Sequence, residues 1–156
     1  MADPHTIDPN LIVDANGHVI GSLSKVRAYR NSNQLINDTS LTTIQFANET
    51  FDLLGDYNTG TYRFVAPVDG FYRVDVQLFL PANAVNWFCY INHNGSQIVE
   101  VSKHGSGAGT STITFGDLIQ MTASQYVQIE VLQFSGGGLN IGGGSNHTFL
   151  TVSRLL

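Results

Sequence analysis

Apolar and polar residues alternate with a period of two along much of the chain, most regularly over residues 71–80. In that run Tyr72, Val74, Val76, Leu78 and Leu80 fall on one side, and Phe71, Arg73, Asp75, Gln77 and Phe79 fall on the other. Successive side chains of a β-strand point to opposite faces, so the pattern predicts a strand with one face in the core. No segment repeats its apolar residues with helical spacing. The chain is therefore predicted to be all-β.

Shorter runs of the same kind recur between turn-forming residues, and each of them predicts a strand. The predicted strands lie near residues 26–30, 42–47, 61–65, 71–80, 85–92, 97–102, 110–115, 126–134 and 148–154. Two glycine-rich segments, residues 105–109 and 136–144, are predicted to be loops. Neither lies between a strand and a helix, as a phosphate-binding glycine motif would require.

Aromatic residues also occupy the side of these strands that faces away from the predicted core. Phe71 and Phe79 lie there on one strand, and Phe88 and Tyr90 lie there on the next. Exposed aromatic residues on two strands favour a contact surface outside the core of one subunit. Burial on both sides within a single subunit is the alternative.

The first 25 residues differ from the rest and form a predicted N-terminal arm or hairpin, with residues 26–156 as one domain. Two short apolar runs flank a turn signal at residues 14–17. The apolar residues of these runs are Leu11, Ile12, Val13, Val19 and Ile20. An isolated hairpin is marginally stable in water, so we expect these five residues to anchor the arm on another surface.

Composition and charge narrow the class of protein. Of the 156 residues, 42% are hydrophobic, which argues against disorder, and only 12% are charged, about half the usual share. The net charge is −5 and no basic run occurs, so no nucleic-acid partner is expected. No apolar run reaches membrane-spanning length and residues 1–5 are polar, so neither a membrane partner nor an export signal is expected. The single cysteine, Cys89, is expected to be buried.

The residue types that carry catalysis or bind metals are scattered along the chain. No Gly-x-Ser-x-Gly, His-Glu-x-x-His or Cys-x-x-Cys motif occurs, so we expect neither an enzyme nor a cofactor. The five histidines are His5, His18, His93, His104 and His147. We expect no bound metal; the alternative is a ring of three symmetry-related copies of His104 or His147 on the axis of a trimer. Two acidic turns, at residues 14–17 and 52–58, contain only part of a calcium-binding ligand set.

One segment of the chain carries a recognisable motif. Residues 51–76 read FDLLGDYNTGTYRFVAPVDGFYRVDV. They resemble the globular domain of complement component 1q, in which a tyrosine precedes a T-G-x-[FY]-x-[FV]-x-A-P-x-x-G-x-Y run. The matching residues are Tyr57, Thr59, Gly60, Tyr62, Phe64, Ala66, Pro67, Gly70 and Tyr72. The resemblance covers about residues 26–156, with a departure near residues 124–126, where the family's Gly-Asp pair is displaced.

The resemblance implies a two-sheet antiparallel jelly-roll sandwich that forms a homotrimer, as in complement-component-1q and tumour-necrosis-factor domains. It implies that strands near residues 71–80, 110–115 and 148–154 face the trimer axis. The residues then expected at the interface are Phe71, Phe79, Phe115 and Phe149. It also places residues 67–70 at the base beside the arm, and gathers three loops, at residues 81–84, 103–109 and 135–146, at the opposite end, the apex. The apical residues expected to bind a partner are His104, Gly107, Gly137, Asn140 and Gly143.

Pro67 and Gly70 have a predicted structural role of their own. Proline presets φ near −65°, and glycine tolerates the positive φ that a tight turn needs. Because the two residues lie between predicted strands at residues 61–65 and 71–80, they are predicted to form the turn of a hairpin.

These expectations favour a non-enzymatic, trimeric structural or binding protein. No collagen repeat precedes the domain, and in this it is similar to relatives in bacteria and phage particles. The leading hypothesis is a virion component, such as a capsid decoration protein or fibre knob, anchored by its N-terminal arm on a capsid or surface protein. Its location would be a virion or the extracellular space. The alternative is a bacterial or secreted recognition module that binds a glycan or protein through the apical loops. An enzyme is the third class.

Overall fold

The computed structural model describes residues 10–81, 86–104 and 109–155. The regular structure in these ranges is β-strand, which confirms the all-β prediction. The strands are β1 (Leu11–Val13), β2 (Val19–Ser22), β3 (Lys25–Tyr29), β4 (Gln34–Ile36), β5 (Thr42–Thr43), β6 (Asn48–Asp52), β7 (Tyr57–Asn58), β8 (Arg63–Val65), β9 (Gly70–Leu80), β10 (Asn86–His93), β11 (Ser96–Lys103), β12 (Ser111–Met121), β13 (Tyr126–Phe134), β14 (Leu139–Ile141) and β15 (Phe149–Arg154). Within the described ranges, no helix has the length and apolar character needed to cross a bilayer.

Two antiparallel sheets form a sandwich. The five-stranded sheet has the order β12-β9-β15-β3-β6. The six-stranded sheet has the order β11-β10-β13-β8-β7, with β5 paired on β13. Strands β1 and β2 pair with each other as the N-terminal hairpin, and β4 pairs with β14. Strands β10 and β11, and β7 and β8, are consecutive neighbours, whereas most other neighbouring strands come from distant parts of the sequence.

The core lies between the two sheets and is filled by their inward-facing residues. Tyr72, Val74, Val76, Leu78 and Leu80 are all 0% exposed, which confirms the side of residues 71–80 predicted to be buried. In the same cluster, the six-stranded sheet contributes Trp87, Cys89, Ile91, Val127, Ile129 and Val131. Burying one large apolar side chain contributes about 1.5–3 kcal/mol, so this cluster is the main source of stability.

Most predicted strands are confirmed, but some lengths differ. The strand predicted at residues 110–115 continues to Met121, past Gly116. A Cβ atom at Gly116 would lie 2.3 Å from the carbonyl oxygen of Val74, so glycine is needed where the β9 and β12 backbones approach. The strand predicted at residues 42–47 is only Thr42–Thr43 long, and β14 interrupts the loop predicted at residues 136–144.

The turn at residues 67–70 differs from its prediction in two ways. It is not a hairpin turn, because β8 and β9 belong to different sheets and the chain crosses the sandwich here. Gly70 starts β9 and does not have a positive φ, so the predicted reason for this glycine is wrong. A Cβ atom at Gly70 would lie 2.9 Å from Nε of Arg154, a flexible side chain that can shift to make room for it. The Tyr72 hydroxyl donates a 2.7 Å hydrogen bond to the Val68 carbonyl and holds the turn in place.

Strand direction defines the base and the apex of the sandwich. At the base, the backbone N–H of Leu155 donates to the Phe71 carbonyl. At the apex, Leu80 pairs with Ser111. The N-terminal hairpin leads into β3 at the base through Ser24, which is fully buried and whose hydroxyl donates a 2.7 Å hydrogen bond to Asp56. Packed structure therefore begins slightly before the predicted boundary at residue 26.

Candidate functional site

The outward side of the five-stranded sheet, here called the β9 face, contains Phe71, Arg73, Asp75, Gln77 and Phe79 of β9. Phe71 is 50% exposed, whereas Phe79 is half-buried. Both side chains lie on the side of β9 opposite the core, as the alternation predicted. A large apolar side chain left half in water marks a candidate contact surface.

Neighbouring strands add further apolar residues to the β9 face. The strand register places Phe149, Leu118 and Phe51 there. Leu118 is 46% exposed and Phe51 is 41% exposed, whereas Phe149 is half-buried, with the Arg27 guanidinium 4.5 Å from its ring centroid. Leu118 and Phe51 were not predicted as site residues, because β12 was predicted to end at Phe115 and β6 was not predicted at all.

The structure corrects the predicted placement of Phe115. This residue pairs with Val76, so its side chain points to the same side of the sheet as the buried residues of β9. It is half-buried against the core cluster. Phe115 therefore does not share the β9 face with Phe71, Phe79 and Phe149.

The charges in the middle of the β9 face balance each other. Nη2 of Arg73 lies 2.6 Å from Oδ1 of Asp75, and Nε of Arg73 donates to the same carboxylate at 2.9 Å. This hydrogen bonding, with the negative charge of Asp75, raises the pKa of Arg73. Gly116 lies opposite Asp75 and has no side chain to cover the ion pair. The face is therefore polar but locally neutral at its centre, and apolar toward both ends.

A cleft of about 430 Å³, here called the apical cleft, opens beside the apical end of the β9 face. It is lined by Asn33, Phe79, Pro81, Thr110, Asn140, Gly142, Gly143 and His147. None of these lining residues is a lysine, arginine, aspartate or glutamate. Pro81, Thr110 and residues 140–147 belong to or adjoin the three loops predicted to gather at the apex. The structure brings described parts of all three together.

Phe79 and His147 form one wall of the apical cleft. Their rings stack with centroids 4.8 Å apart and an interplanar angle of 18°. The Phe79 backbone is fixed on both sides, because its N–H donates to Oγ1 of Thr148 and its carbonyl accepts from the N–H of Gly142. Nδ1 of His147 lies 3.2 Å from the Gly143 carbonyl. A carbonyl only accepts, so Nδ1 carries the proton and Nε2 of the neutral ring is an acceptor.

The remaining predicted apical residues are distributed differently. Asn140 and Gly143 line the apical cleft. Gly137 has a structural role, since its carbonyl accepts a 2.7 Å hydrogen bond from a buried glutamine of β13. Nδ1 of His104 lies 2.9 Å from the side-chain oxygen of an asparagine in β10. Gly107 lies outside the described residues.

The N-terminal hairpin contains the predicted anchor residues. Leu11, Ile12 and Val13 form β1, and Val19 and Ile20 begin β2. Ile12 is 36% exposed and Val19 is 44% exposed. Asp14 orders the turn by accepting hydrogen bonds from the backbone N–H groups of Asn16 and His18, which also lower its pKa. The segment is thus a formed hairpin with apolar side chains still exposed to solvent.

The described side chains that could react or bind a metal are hydrogen-bonded, buried or far from one another. Within residues 10–81, 86–104 and 109–155, no three His, Cys, Asp or Glu side chains are grouped to hold a metal ion. The Asp52 carboxylate of the second acidic turn accepts hydrogen bonds from the backbone N–H groups of Gly55, Asp56 and Tyr57. The Cys89 thiol is buried, and burial raises its pKa to about 12. Because the thiolate is the reactive form, this thiol is inert near neutral pH.

The two antiparallel sheets and their strand order form a jelly-roll sandwich of the complement-component-1q and tumour-necrosis-factor type. The globular domain of zebrafish complement 1qA superimposes with a TM-score of 0.67 at 12% identity, covering 85% of this chain and 98% of that chain. Eiger TNF from S. frugiperda gives 0.65 at 9% identity, covering 85% and 92% respectively. Murine APRIL gives 0.64 at 8% identity, covering 85% and 98%.

These likenesses confirm the fold that the motif at residues 51–76 implied. At such low identities they show the fold alone. No protein-family model matches the chain, and no curated protein matches its sequence.

Proposed function

We propose that this chain is a non-enzymatic domain that forms a homotrimer through the β9 face and serves as a structural and binding protein. The observation that carries the proposal is the exposure of Phe71 and Leu118, at 50% and 46%. The two residues are diagonal neighbours on β9 and β12, close enough to form one apolar patch. Closed cyclic symmetry is the usual way for a protein to bury a repeated patch. The jelly-roll fold and the inert buried thiol of Cys89 also support this class.

The mass of the protein in solution tests the proposal. We expect a trimer at micromolar concentration by light scattering, and dissociation when Phe71 is replaced in Phe71→Ser. The matched control is Phe134→Ser, because Phe134 is 49% exposed on the outward side of the six-stranded sheet. The control should remain a trimer. A monomeric parent protein contradicts the proposal, and so does a trimer that survives both Phe71→Ser and Leu118→Ser.

Within this role, we propose a virion component, such as a capsid decoration protein or fibre knob, anchored by the N-terminal hairpin on a capsid protein. The exposed apolar side chains of Ile12 and Val19 support it, because they offer a partner apolar surface at the base. The low charged fraction, 12%, suits a surface that stacks against other proteins. The neighbouring genes test this proposal. Capsid and portal genes agree with it, whereas genes for cell-surface proteins contradict it.

The second candidate is a secreted or bacterial recognition module that binds a glycan or protein at the apex. The apical cleft favours this candidate, because clefts of a few hundred Å³ are typical of small-ligand sites. The two roles are compatible in one molecule, since the hairpin is at the base and the cleft is at the apex. A particle-bound protein with a ligand at its apex would combine them.

A further inference from the structure

The size of the apical cleft limits what it can hold. Its volume is about 430 Å³. Small-molecule clefts are typically about 300–1,000 Å³, so the apical cleft lies at the lower end of that range. The cleft therefore suits a small ligand.

The charge of the lining limits the ligand further. Among the described residues, none that lines the cleft has a permanent charge. Phosphate, sulfate and carboxylate ligands are normally bound by arginine or lysine, which match their charge and geometry. A cationic ligand would require carboxylates or an open aromatic cage. The lining thus favours an uncharged ligand that forms hydrogen bonds.

The stacked rings of Phe79 and His147 supply an aromatic wall, in which each ring covers one face of the other. Gly142 lets the loop lie against the Phe79 ring, because a Cβ atom there would be 2.5 Å from Cδ1 of Phe79. Together with the backbone hydrogen bonds of Phe79, this close packing holds the ring in one position. A rigid aromatic wall matches a ligand whose ring has an apolar C–H face.

The rim of the cleft supplies hydrogen-bonding groups that are available to a ligand. Oδ1 of Asn33 accepts a 3.0 Å hydrogen bond from the Gly143 N–H, which leaves the Asn33 amide NH₂ to donate. The exposed side chains of Asn140 and Thr110 make no hydrogen bond to another described residue. An asparagine amide both donates and accepts, so it can pair with two adjacent hydroxyl groups. Nε2 of neutral His147 adds an acceptor.

From these features we propose that the apical cleft binds a neutral saccharide unit, with its C–H face on Phe79 and His147 and its hydroxyls on Asn33, Asn140 and Thr110. The proposal rests on the second candidate function, recognition at the apex, and names the site and the ligand class. A saccharide is favoured over a peptide segment because the described polar side chains of the lining include two amides and a hydroxyl, which pair well with hydroxyl groups.

Titration of the full chain with sugars, followed by ¹H–¹⁵N NMR, tests the proposal. The probes are the methyl glycosides of glucose, galactose, mannose and N-acetylglucosamine. Galactose 6-sulfate and N-acetylneuraminic acid serve as charged competitors. At least one neutral glycoside should shift the amide signals of Thr110, Gly142 and Gly143, and the charged sugars should bind more weakly.

Two variants and one control locate the binding. Asn140→Ala and Thr110→Val should each weaken the sugar about three- to tenfold, the effect of one or two lost hydrogen bonds. The control is Asn37→Ala, which removes an exposed asparagine at the same end that does not line the cleft. It should bind like the parent protein.

Three outcomes overturn the proposal: no neutral glycoside shifts those amides, the charged sugars bind more tightly, or Asn140→Ala and Thr110→Val bind as well as the parent. The mass of the same sample, measured in parallel, reports on the trimer independently. Failure of the sugar site and failure of the trimer are therefore distinguishable.

Discussion

The outward sides of the two sheets differ in how their polar groups are satisfied. On the six-stranded sheet, Gln128 and Glu130 of β13 are each only 7% exposed, although they point away from the core. Oε1 of Glu130 accepts a 2.7 Å hydrogen bond from Gln128, and Oε2 accepts from Asn92 at 3.1 Å. Arg63 donates to Gln128 at 2.7 Å and lies over the ring of Tyr126. On the β9 face, by contrast, the ion pair of Arg73 and Asp75 at its centre is about half exposed to solvent.

This difference agrees with the proposal that the β9 face, and not the outward side of the six-stranded sheet, binds further copies of the chain. Both outward sides carry aromatic residues, so the number of aromatics does not distinguish them. On the six-stranded sheet, the outward side chains of Arg63, Gln128, Glu130 and Asn92 form one connected hydrogen-bond network. Among the described residues of the β9 face, no hydrogen-bonded network connects the polar groups around Phe71 and Leu118. We therefore expect the two faces to respond differently to substitution.

The largest effect is expected at Gly116, where the β9 face depends on close backbone contact. Gly116→Ala places a Cβ atom 2.3 Å from the Val74 carbonyl, so β9 and β12 must separate. We expect a loss of about 3 kcal/mol in the free energy of unfolding, measured in urea, at the upper end of the overpacking range. Gly137→Ala is the control, because no atom lies within 4 Å of its Cβ position. It should change stability by less than about 0.5 kcal/mol. Equal effects would show that the sheet accommodates the methyl group.

A smaller effect is expected on the six-stranded sheet at Glu130. Glu130→Ala leaves the amide donors of Gln128 and Asn92 without their acceptor, and should cost about 1–3 kcal/mol in the free energy of unfolding. Glu100→Ala is the matched control. Both glutamates are register partners of Tyr90, Glu130 on β13 and Glu100 on β11, but Glu100 is exposed. The control should cost less than about 0.5 kcal/mol. Neither variant should alter the mass in solution. Dissociation of Glu130→Ala in the folded state would contradict the proposal that the β9 face, and not this sheet, binds further copies of the chain.

The smallest effect is expected from removing the N-terminal hairpin. Deletion of residues 1–21 should change the free energy of unfolding by less than about 0.5 kcal/mol, because β1 and β2 pair with no strand of the sandwich. The mass per assembly should stay at three subunits.

Deletion of residues 1–24 also removes the buried Ser24. Its hydroxyl donates a hydrogen bond to Asp56, and its carbonyl accepts one from the Arg154 backbone N–H. That deletion should cost about 1–3 kcal/mol. Unfolding of the shorter deletion would place the hairpin in the core.

The strands that could be predicted from the sequence are those whose alternation is uninterrupted. β9 is one, because five buried residues alternate with five outward residues. The end of β12 could not be predicted, because this strand is at the edge of its sheet and the pattern reverses there. Asp117 is exposed on the core side, and the apolar Leu118 lies outward. At an edge strand, contacts with solvent and with partners influence which residues are polar, so the pattern no longer reports only the side that faces the core.

The parts of the candidate site that could not be predicted depend on residues distant in the sequence. The motif at residues 51–76 was enough to predict the fold and the gathering of the apical loops. The stacking of Phe79 on His147 depends on two strand ends meeting in space, and no local pattern reports it. At Gly70, local turn chemistry suggested a positive φ, whereas the chain here crosses between the two sheets without one.

The central position of β15 has a consequence for biosynthesis. Thr151 pairs with Asp75 of β9 on one side and with Arg27 of β3 on the other. As the chain leaves the ribosome, β3 and β9 emerge long before the strand that joins them, so each exposes an unpaired edge while the polypeptide is still growing. Such edges are prone to aggregation, and long-range pairings of this kind form slowly. The five-stranded sheet thus closes in one late step. Because β15 also contributes Phe149 to the β9 face, that face is complete only after synthesis of the domain is nearly finished.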